Sequence, residues 1–310
     1  MIYNDYFTYD KKLWSNWKVH RDFISKVILD KIICKNSDVK SIAIFGAGFC
    51  NDIDLNFFTN NFDIVTLLDI NKESMEKGIQ MQDLSSEELS KINTIGGFDF
   101  VGQSQDIYSD FEKLLINKTP IKKIKKFIRD KARLVNSIDV KIPEMENHSV
   151  VISVGVHSQL SIGFNLLISK YMNYYTRKEL LDLESELRYY NTLLAKKFND
   201  ILIDYADIAL FSGYDAIEIS KERNNQFLLP RVIDLVKNAD VRKLSELMLS
   251  NGVTGAIQGF CDINQRLLDK GKVYHEYYNK GKIALNFWIW TFNENKVYVI
   301  FATTAFKECF

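Results

Sequence analysis

Cysteine and proline are scarce in this 310-residue chain, which has four of the first and three of the second. The cysteines form no CxxC pair, and such pairs are the usual sign of a structural zinc site. We therefore expect no metal centre, and we expect reduced, mostly packed thiols of the kind found in cytosolic proteins. The four positions are Cys34, Cys50, Cys261 and Cys309.

Long apolar runs and an excess of one charge are also missing. No uninterrupted apolar stretch approaches the roughly 20 residues that a membrane-spanning helix needs. The first residues lack the basic and then apolar pattern of a secretory signal, so we expect a cytoplasmic protein with no membrane span. The 40 basic residues balance the 40 acidic ones, so no overall field favours a nucleic acid or another polyanion.

Short apolar runs alternate with stretches in which apolar residues recur at helical spacing. The predicted strands are residues 42–45, 64–68, 98–101, 148–156 and 207–211 with the residues that follow it. The predicted helices are 17–34, 52–59, 72–82, 158–175, 177–203 and 230–249. This alternation is typical of a parallel sheet. Two aromatic, β-branched runs, 282–292 and 296–304, predict a hairpin. We expect an α/β fold: a Rossmann-like, doubly wound, mainly parallel sheet with a C-terminal antiparallel hairpin.

Two regions stand apart from this alternation. Residues 1–36 are rich in aromatic side chains and then become helical. In folds of this kind an N-terminal helix often forms a lid, so resemblance to them implies a lid on the main domain, residues 37–310. Residues 108–141 form a lysine-rich helical insertion between the third and fourth strands. Within it, residues 113–133 hold nine basic residues and one acid, and their apolar residues recur at helical spacing. This helix is either a solvated basic face or a docking site for RNA, an anionic lipid surface or an acidic substrate.

The most informative local pattern is a glycine turn followed by an acid. Gly46 and Gly48 lie between the first strand and the next helix, and Asp69 closes the second strand 21 residues after Gly48. Glycine lets backbone approach a ligand closely, and a carboxylate in that place can accept hydrogen bonds from ribose hydroxyls. An ordinary tight turn is one alternative. A dinucleotide site is another, although it requires a third glycine where this chain has Asn51.

The stretch IAIFGAGFCNDIDL, followed by VTLLDIN, resembles the first two motifs of class I S-adenosylmethionine (AdoMet)-dependent methyltransferases. The resemblance implies AdoMet as the cofactor, with Gly46 and Gly48 along its methionine part and Asp69 on its ribose. It further implies Asp52 or Asp54 on the amino group, and Gln103 or Asp106 on the adenine. The full set of expected cofactor-binding residues is Phe45, Gly46, Ala47, Gly48, Asp52, Asp69, Ile70, Gln103, Ser104, Asp106, Ser153 and Val154.

Residues 148–160 resemble the fourth strand of that family and the loop that faces the methyl group. His157 is the candidate general base, because histidine titrates near neutral pH; the alternative is a histidine that only bonds a neighbour. The expected substrate-binding residues are Tyr6, Tyr9, Trp17, His20, Ser158 and Gln159. The aromatic rings among them could instead pack the helix onto the sheet or form a homodimer contact.

These observations favour a methyltransferase that acts on an oxygen or nitrogen of a small molecule. RNA or protein methylation through the basic helix at 113–133 is an alternative in the same class. A NAD-dependent Rossmann oxidoreductase is disfavoured by the missing third glycine and by the acids Asp52 and Asp54, which would repel a pyrophosphate. A non-catalytic binding protein with the same fold stays open, since methyl transfer requires no obligatory catalytic residue.

Overall fold

The computed structural model describes residues 11–102, 105–138, 140–142 and 145–310. Within these residues the strands are β1 Ser41–Phe45, β2 Ile64–Asp69, β3 Ile92–Gly96, β4 His148–Val154, β5 Ala206–Ser220, β6 Ile283–Asn293 and β7 Lys296–Phe306. The helices are α1 Lys11–Asn16, α2 Lys18–Lys31, α3 Leu55–Asn61, α4 Lys72–Gln80, α5 Ser86–Ser90, α6 Gln105–Ile116, α7 Ile121–Val135, α8 Ile162–Tyr171, α9 Arg177–Tyr205, α10 Leu229–Lys237, α11 Val241–Asn251, α12 Thr254–Leu268 and α13 Lys272–Asn279. Single 3-10 turns lie at Ile33–Lys35, Met172–Tyr174, Gln226–Leu228 and Lys307–Cys309.

The strands form one sheet in the order β3-β2-β1-β4-β5-β7-β6. Strands β1 to β5 pair in parallel, whereas β7 runs antiparallel to both β5 and β6. The expected Rossmann-like, mainly parallel sheet with a C-terminal antiparallel hairpin is therefore confirmed. The strand order reverses between β1 and β4. In open α/β sheets such a switch point creates a crevice outside the carboxyl ends of the strands, where ligands bind.

Local sequence explains where the central elements begin. β1 and β4 are apolar runs buried on both faces of the sheet, as parallel strands covered by helices require. The side chains of Asp54 and Asn71 cap the first turns of α3 and α4, and Thr176 forms a capping box with Glu179 at the start of α9. The caps on α3 and α4 fix the loops that follow β1 and β2 at the carboxyl edge of the sheet.

The third strand is Ile92–Gly96, so the prediction of a strand at 98–101 is wrong. β3 lies at the edge of the sheet, and its polar Asn93 and Thr94 lower the apolar content that would have revealed it. The apolar residues after it serve a different purpose. The ring of Phe100 packs 5.2 Å from that of Phe45 and 5.5 Å from that of Phe198, which anchors the loop to the core.

The fifth strand, predicted at 207–211 with the residues that follow, extends as far as Ser220. β5 runs from Ala206 to Ser220 and pairs with β7 along most of its length. The end of β4 at Val154 is level with Gly213, so the last seven residues of β5 extend past the neighbouring parallel strand. Together with β7 and β6 they form a β wall beyond the carboxyl edge.

Other departures are smaller. The basic insertion is a pair of helices, α6 and α7, and the predicted helix at 230–249 is divided into α10 and α11. Helices α12 and α13 were not predicted. Cys50 and Cys309 are buried, but Cys34 and Cys261 are exposed, so the expectation of mostly packed thiols holds for only two of the four. In the described part of the chain no helix is long and apolar enough to cross a membrane.

Candidate ligand-binding site

A small cavity marks the switch point between β1 and β4. Phe45, Gly46, Asp52 and Val154 line it, so four of the expected cofactor residues meet there, and Ile24 of α2 covers it. Its volume of about 10 Å³ leaves room for about one water molecule. A larger ligand therefore requires the cover to move.

The glycine turn shapes one side of this cavity. Gly46 and Gly48 have φ angles of +79° and +48°, in the left-handed region that favours glycine. A Cβ atom on Gly46 would lie 2.2 Å from Cγ2 of Val156, so the turn tolerates no side chain at that position. The N–H of Gly46 donates to the carbonyl oxygen of Leu68 at 2.8 Å, which ties the turn to the end of β2.

Asp69 lies at the end of β2 and closes the turn. Its Oδ2 accepts a hydrogen bond from the Gly48 N–H at 2.9 Å, and its Oδ1 accepts one from the Asn71 N–H at 2.8 Å. Burial raises the pKa of Asp69, and the N–H donors of Asn71 and Gly48 oppose that rise. The Ile70 N–H is a third backbone donor to this carboxylate, whose oxygens offer about four acceptor sites, so about one site stays available for a ligand hydroxyl.

Asp52 is a second acid near the turn and, unlike Asp69, it lines the cavity. Burial raises the pKa of its carboxyl to about 7, the positive charge of Arg21 opposes the rise, and Asp69 adds to it. A buried carboxylate of this kind favours a positively charged ligand group, because a partner cation offsets the cost of taking the charge out of water. The side chain fits an amino group better than it fits a phosphate.

The start of α3 offers no free anion site. The Asp54 side chain accepts the Phe57 N–H at 3.2 Å, and Oε1 of Gln82 accepts the Leu55 N–H at 2.8 Å. A dinucleotide pyrophosphate needs free N–H groups at this helix end. Here two of these N–H groups already bond side chains, and one of those side chains is a carboxylate. Asp54 is thus the helix cap, and the assignment of Asp52 to an amino group stays a prediction.

Helix α2 crosses the cavity and connects the loop after β1 with β6. Arg21 donates from Nη1 to the carbonyl oxygens of Asn51 and Trp14, at 2.7 and 2.6 Å. Its guanidinium also lies 3.4 Å above the Trp14 ring. Ile24, one turn further along, covers the cavity. Residues 11–35 therefore lie where the predicted lid would close the site.

Two predicted substrate residues, Trp17 just before α2 and His20 within it, hold the helix on the sheet. Trp17 donates from Nε1 to the carbonyl oxygen of Phe292 at 2.8 Å. His20 accepts from Nε1 of Trp288 at 2.8 Å and stacks on Trp290 with 4.2 Å between ring centroids. Burial lowers the pKa of His20 to about 3, so the imidazole is neutral. In this arrangement neither side chain faces a free pocket, which favours the alternative in which the rings pack the helix onto the sheet. Tyr6 and Tyr9 lie outside the described residues.

His157 does not face the cleft, and the expectation that it does is corrected. Its side chain is 1% exposed and packs between Phe198 and Tyr214, on the face of the sheet that α9 and α12 cover. Nε2 donates to Oδ1 of Asn199 at 2.7 Å. A Cβ atom on Gly259 would lie 2.2 Å from the imidazole, so the ring fills a gap against α12. Burial lowers the pKa of His157 to about 4, which makes it a poor base at neutral pH.

The other residues expected near the methyl group lie on both sides of the sheet. Ser158 and Gln159 both donate to the carbonyl oxygen of Gly155, at 3.0 and 3.3 Å, in the loop after β4. Ser153 is fully buried, and its hydroxyl has no hydrogen-bond partner among the described residues. Because Ser153 and Val154 are successive strand residues, they point to opposite faces. Val154 lines the cavity, so the Ser153 side chain points away from it.

Three of the other expected cofactor residues, Ala47, Ile70 and Asp106, do not line the cavity. Ala47 is buried within the turn, whereas Ile70 and Asp106 are exposed. Gln103 and Ser104 lie outside the described residues, so the adenine side stays a prediction.

Sequence reasoning missed one acid. Asp215 lies on β5, is 6% exposed, and its Oδ1 has no hydrogen-bond partner among the described residues. Burial raises its pKa to about 7, and the Ser158 hydroxyl opposes that rise by hydrogen bonding. The available signal was an acid within a run of strand-forming residues. That signal is visible only if β5 is recognised as far as residue 215.

Several basic side chains of helix α7 form ion pairs with neighbouring acids. Glu186 of α9 accepts from Nε of Arg129 at 2.8 Å and lies 3.4 Å from Nζ of Lys125. Lys126 and Arg133 lie within ion-pair distance of Asp130. These ion pairs neutralise part of the basic face, which favours its interpretation as a solvated helix surface.

The sheet order and the switch-point cavity define a Rossmann-like α/β protein. No protein-family model matches the chain, and no curated protein does. Solved structures similar to it include magnesium protoporphyrin IX methyltransferase from Synechocystis PCC 6803, at 10% identity over 96% of this chain and 90% of that one, with a TM-score of 0.41. The methyltransferase domain of bacterial CtHen1-C is 10% identical over 92% and 98%, with a TM-score of 0.38.

A third similar structure is precorrin-6y C5,15-methyltransferase from Geobacter metallireducens GS-15, with 10% identity over 96% of this chain and 94% of that one and a TM-score of 0.36. Identities and scores of this size carry no inference about ligand or acceptor. The functional argument therefore rests on the residues of this chain.

Proposed function

We propose that this chain is an AdoMet-dependent methyltransferase that acts on an oxygen or nitrogen of a small-molecule acceptor. The observation that carries the proposal is the hydrogen bond between the Gly48 N–H and Asp69, which joins the glycine turn to the acid at the switch point. The carboxyl of Asp52, which lines the switch-point cavity, lies close enough to Asp69 for the two charges to interact. A hydroxyl-binding acid and a cation-binding acid, side by side, match the ribose and the amino group of AdoMet.

Bound AdoMet would supply a methyl group on a positively charged sulfonium. Asp69 would accept a ribose hydroxyl and Asp52 would hold the amino group. Arg21 would fasten α2 across the site, since it already bonds the carbonyl oxygen of Asn51. Catalysis would then depend on alignment and on the exclusion of water, because methyl transfer is an in-line displacement.

The capped start of α3 supports this ligand over a dinucleotide. A pyrophosphate would approach the Asp54 carboxylate and would find two helix N–H groups already bonded. The basic helix α7 offers no comparable support for a nucleic-acid substrate, since several of its charges are paired. We therefore favour a small-molecule acceptor.

Calorimetry with AdoMet, S-adenosylhomocysteine and NAD tests the cofactor. We expect the first two to bind and NAD not to bind. Binding of NAD alone would refute the proposal. Transfer of a labelled methyl group to members of a metabolite collection would then separate an enzyme from a binding protein that has the same fold.

A further inference from the structure

One face of the β wall carries acids and aromatic rings. Asp215 of β5 is paired with Ile300 of β7, which is paired with Trp288 of β6. A bulge between Asp215 and Ile217 shifts the register, so that Glu218 is paired with Tyr298, and Tyr298 with Trp290. Directly paired residues share a face. This face therefore carries Ile300 together with Asp215, Glu218, Trp288, Trp290 and Tyr298.

This face is continuous with the proposed cofactor cavity. Val154 lines the cavity and pairs with Gly213, where a Cβ atom would lie 3.4 Å from the methyl groups of Val154. Asp215 is two residues further along β5, about 7 Å beyond and on the same face. Helix α2 reaches both places, because Ile24 covers the cavity and His20 bonds Trp288.

The two acids of the face differ in their partners. Glu218 accepts the Ser220 hydroxyl at 2.8 Å and lies 3.4 Å from Arg223 and 3.7 Å from Lys296. Asp215 is more deeply buried, and no basic side chain in the described part of the chain pairs with it. Its Oδ1 lacks a hydrogen-bond partner there, and so does Nε1 of Trp290, which is 7% exposed.

A buried carboxylate without a cation is costly unless a ligand supplies the missing charge. The faces of tryptophan and tyrosine rings attract cations as well. A neutral hydroxyl acceptor would leave the carboxylate uncompensated, whereas a protonated amine would pair with it. The aromatic walls suit an apolar or aromatic body attached to that amine.

We propose that Asp215 binds the amino group of the methyl acceptor and removes its proton, in a pocket walled by Trp288, Trp290 and Tyr298. The acceptor class is a primary or secondary amine on an apolar or aromatic body. This inference rests on the proposed methyltransferase function. It requires α2 to move, because the face is closed by contacts such as that between His20 and Trp290.

The proton balance of the step is simple. The Asp215 carboxylate accepts one proton from the ammonium group, and this frees the nitrogen lone pair. The lone pair forms the new bond to the methyl carbon while the carbon–sulfur bond breaks and its electron pair goes to sulfur. The products are the methylated ammonium and S-adenosylhomocysteine, and the proton on Asp215 leaves to solvent. Burial holds the pKa of Asp215 at about 7, which suits a group that alternates between the two forms.

Transfer of label from AdoMet to matched amine and alcohol pairs tests the acceptor class. The pairs are tryptamine with tryptophol and 2-phenylethylamine with 2-phenylethanol. We expect at least one amine to be methylated tenfold faster than its alcohol. The Asp215→Asn variant should transfer to amines at least 100-fold more slowly, with the Kd for AdoMet within twofold of wild type. Asp207→Asn is the matched control, because Asp207 lies on the same strand at its opposite end and is exposed.

The outcomes separate the two proposals. If the wild-type protein binds no AdoMet, the proposed function is wrong. If it binds AdoMet but methylates the alcohols as well as the amines, or no amine at all, the amine pocket is wrong and the cofactor site stands. Undiminished amine transfer by Asp215→Asn would also overturn the role of Asp215. A normal Kd for AdoMet in that variant shows that its fold is intact.

Discussion

Replacing Asp69 by alanine tests the proposed cofactor site most directly. In the structure its two oxygens accept the N–H groups of Gly48 and Asn71, the Ile70 N–H is a further donor, and about one acceptor site is left for a ligand hydroxyl. A hydrogen bond to a charged group contributes about 1.5–3 kcal/mol. Since about 1.4 kcal/mol is a tenfold change in affinity, we expect Asp69→Ala to raise the Kd for S-adenosylhomocysteine about 10- to 150-fold.

The same substitution also affects the free protein, because it leaves these backbone donors without their acceptor. Asp69→Asn separates the two effects. The amide keeps one acceptor oxygen for the turn but loses the charge and the second acceptor, so binding should weaken while thermal stability falls less than in Asp69→Ala. Calorimetry gives the affinities, and thermal unfolding followed by circular dichroism gives the stabilities.

Asp63→Ala is the matched control for this experiment. Asp63 immediately precedes β2 at its amino end, is exposed, and is therefore at the opposite edge of the sheet from Asp69. We expect its affinity to equal that of the wild type. An unchanged Kd in a folded Asp69→Ala protein would remove Asp69 from the site and refute the ribose assignment.

Three further substitutions test the turn, the lid and the buried acid. Gly46→Ala should lower the free energy of unfolding by about 2 kcal/mol or more in urea titrations, from left-handed backbone strain and a clash with Val156. Arg21→Ala should speed proteolytic cleavage within residues 11–35, measured by mass spectrometry, because the bond to Asn51 is lost. The pKa of Asp215 rises on folding from 3.8 to about 7, so its stabilising contribution is present at low pH and lost as pH rises through 7. Relative to Asp215→Asn, the wild type should lose about 2 kcal/mol of unfolding free energy between pH 5 and pH 8.

Each of these has its own control. Gly97→Ala introduces a similar strain, with φ of +76° and no atom within 4 Å of the new Cβ, so an equal loss in both variants would disprove the clash. Lys26→Ala changes an exposed residue of α2 and should leave cleavage at the wild-type rate. A stability gap between Asp215→Asn and wild type that stays constant from pH 5 to pH 8 would contradict a buried, titrating carboxyl.

The parts that the sequence could predict are those whose signal is local. Gly46, Gly48 and Asp69 form one unit of strand, turn and strand, so their spacing alone indicates that they meet. The C-terminal hairpin is equally local, because β6 and β7 are consecutive and paired through a short turn. Both expectations are met by the structure.

The predictions that were wrong or missing concern features that depend on contacts between distant segments. β3 is polar because it is an edge strand, and 98–101 is apolar because Phe100 packs on Phe198 of α9. His157 is buried because α12, which was not predicted, leaves a gap at Gly259. Asp215 was overlooked because only pairing with β7 reveals how far β5 continues past residue 211. None of these contacts is visible in hydrophobic periodicity.

Among the described residues, buried polar atoms without partners lie on both faces of the sheet, and several of them lie where the two proposals meet. Those on the face of β5, β7 and β6 that α2 approaches are Oδ1 of Asp215, Nδ2 of Asn286, Nε1 of Trp290 and Oγ1 of Thr304, and Nε2 of His20 lies on α2 itself. Each such group costs about 1–3 kcal/mol when it lacks a partner, and apolar side chains of similar size would avoid that cost. A face built only to hold α2 against the sheet would therefore be apolar. Departures from good packing are expected at functional sites, and here they coincide with the acid and the rings that we assign to an amine acceptor.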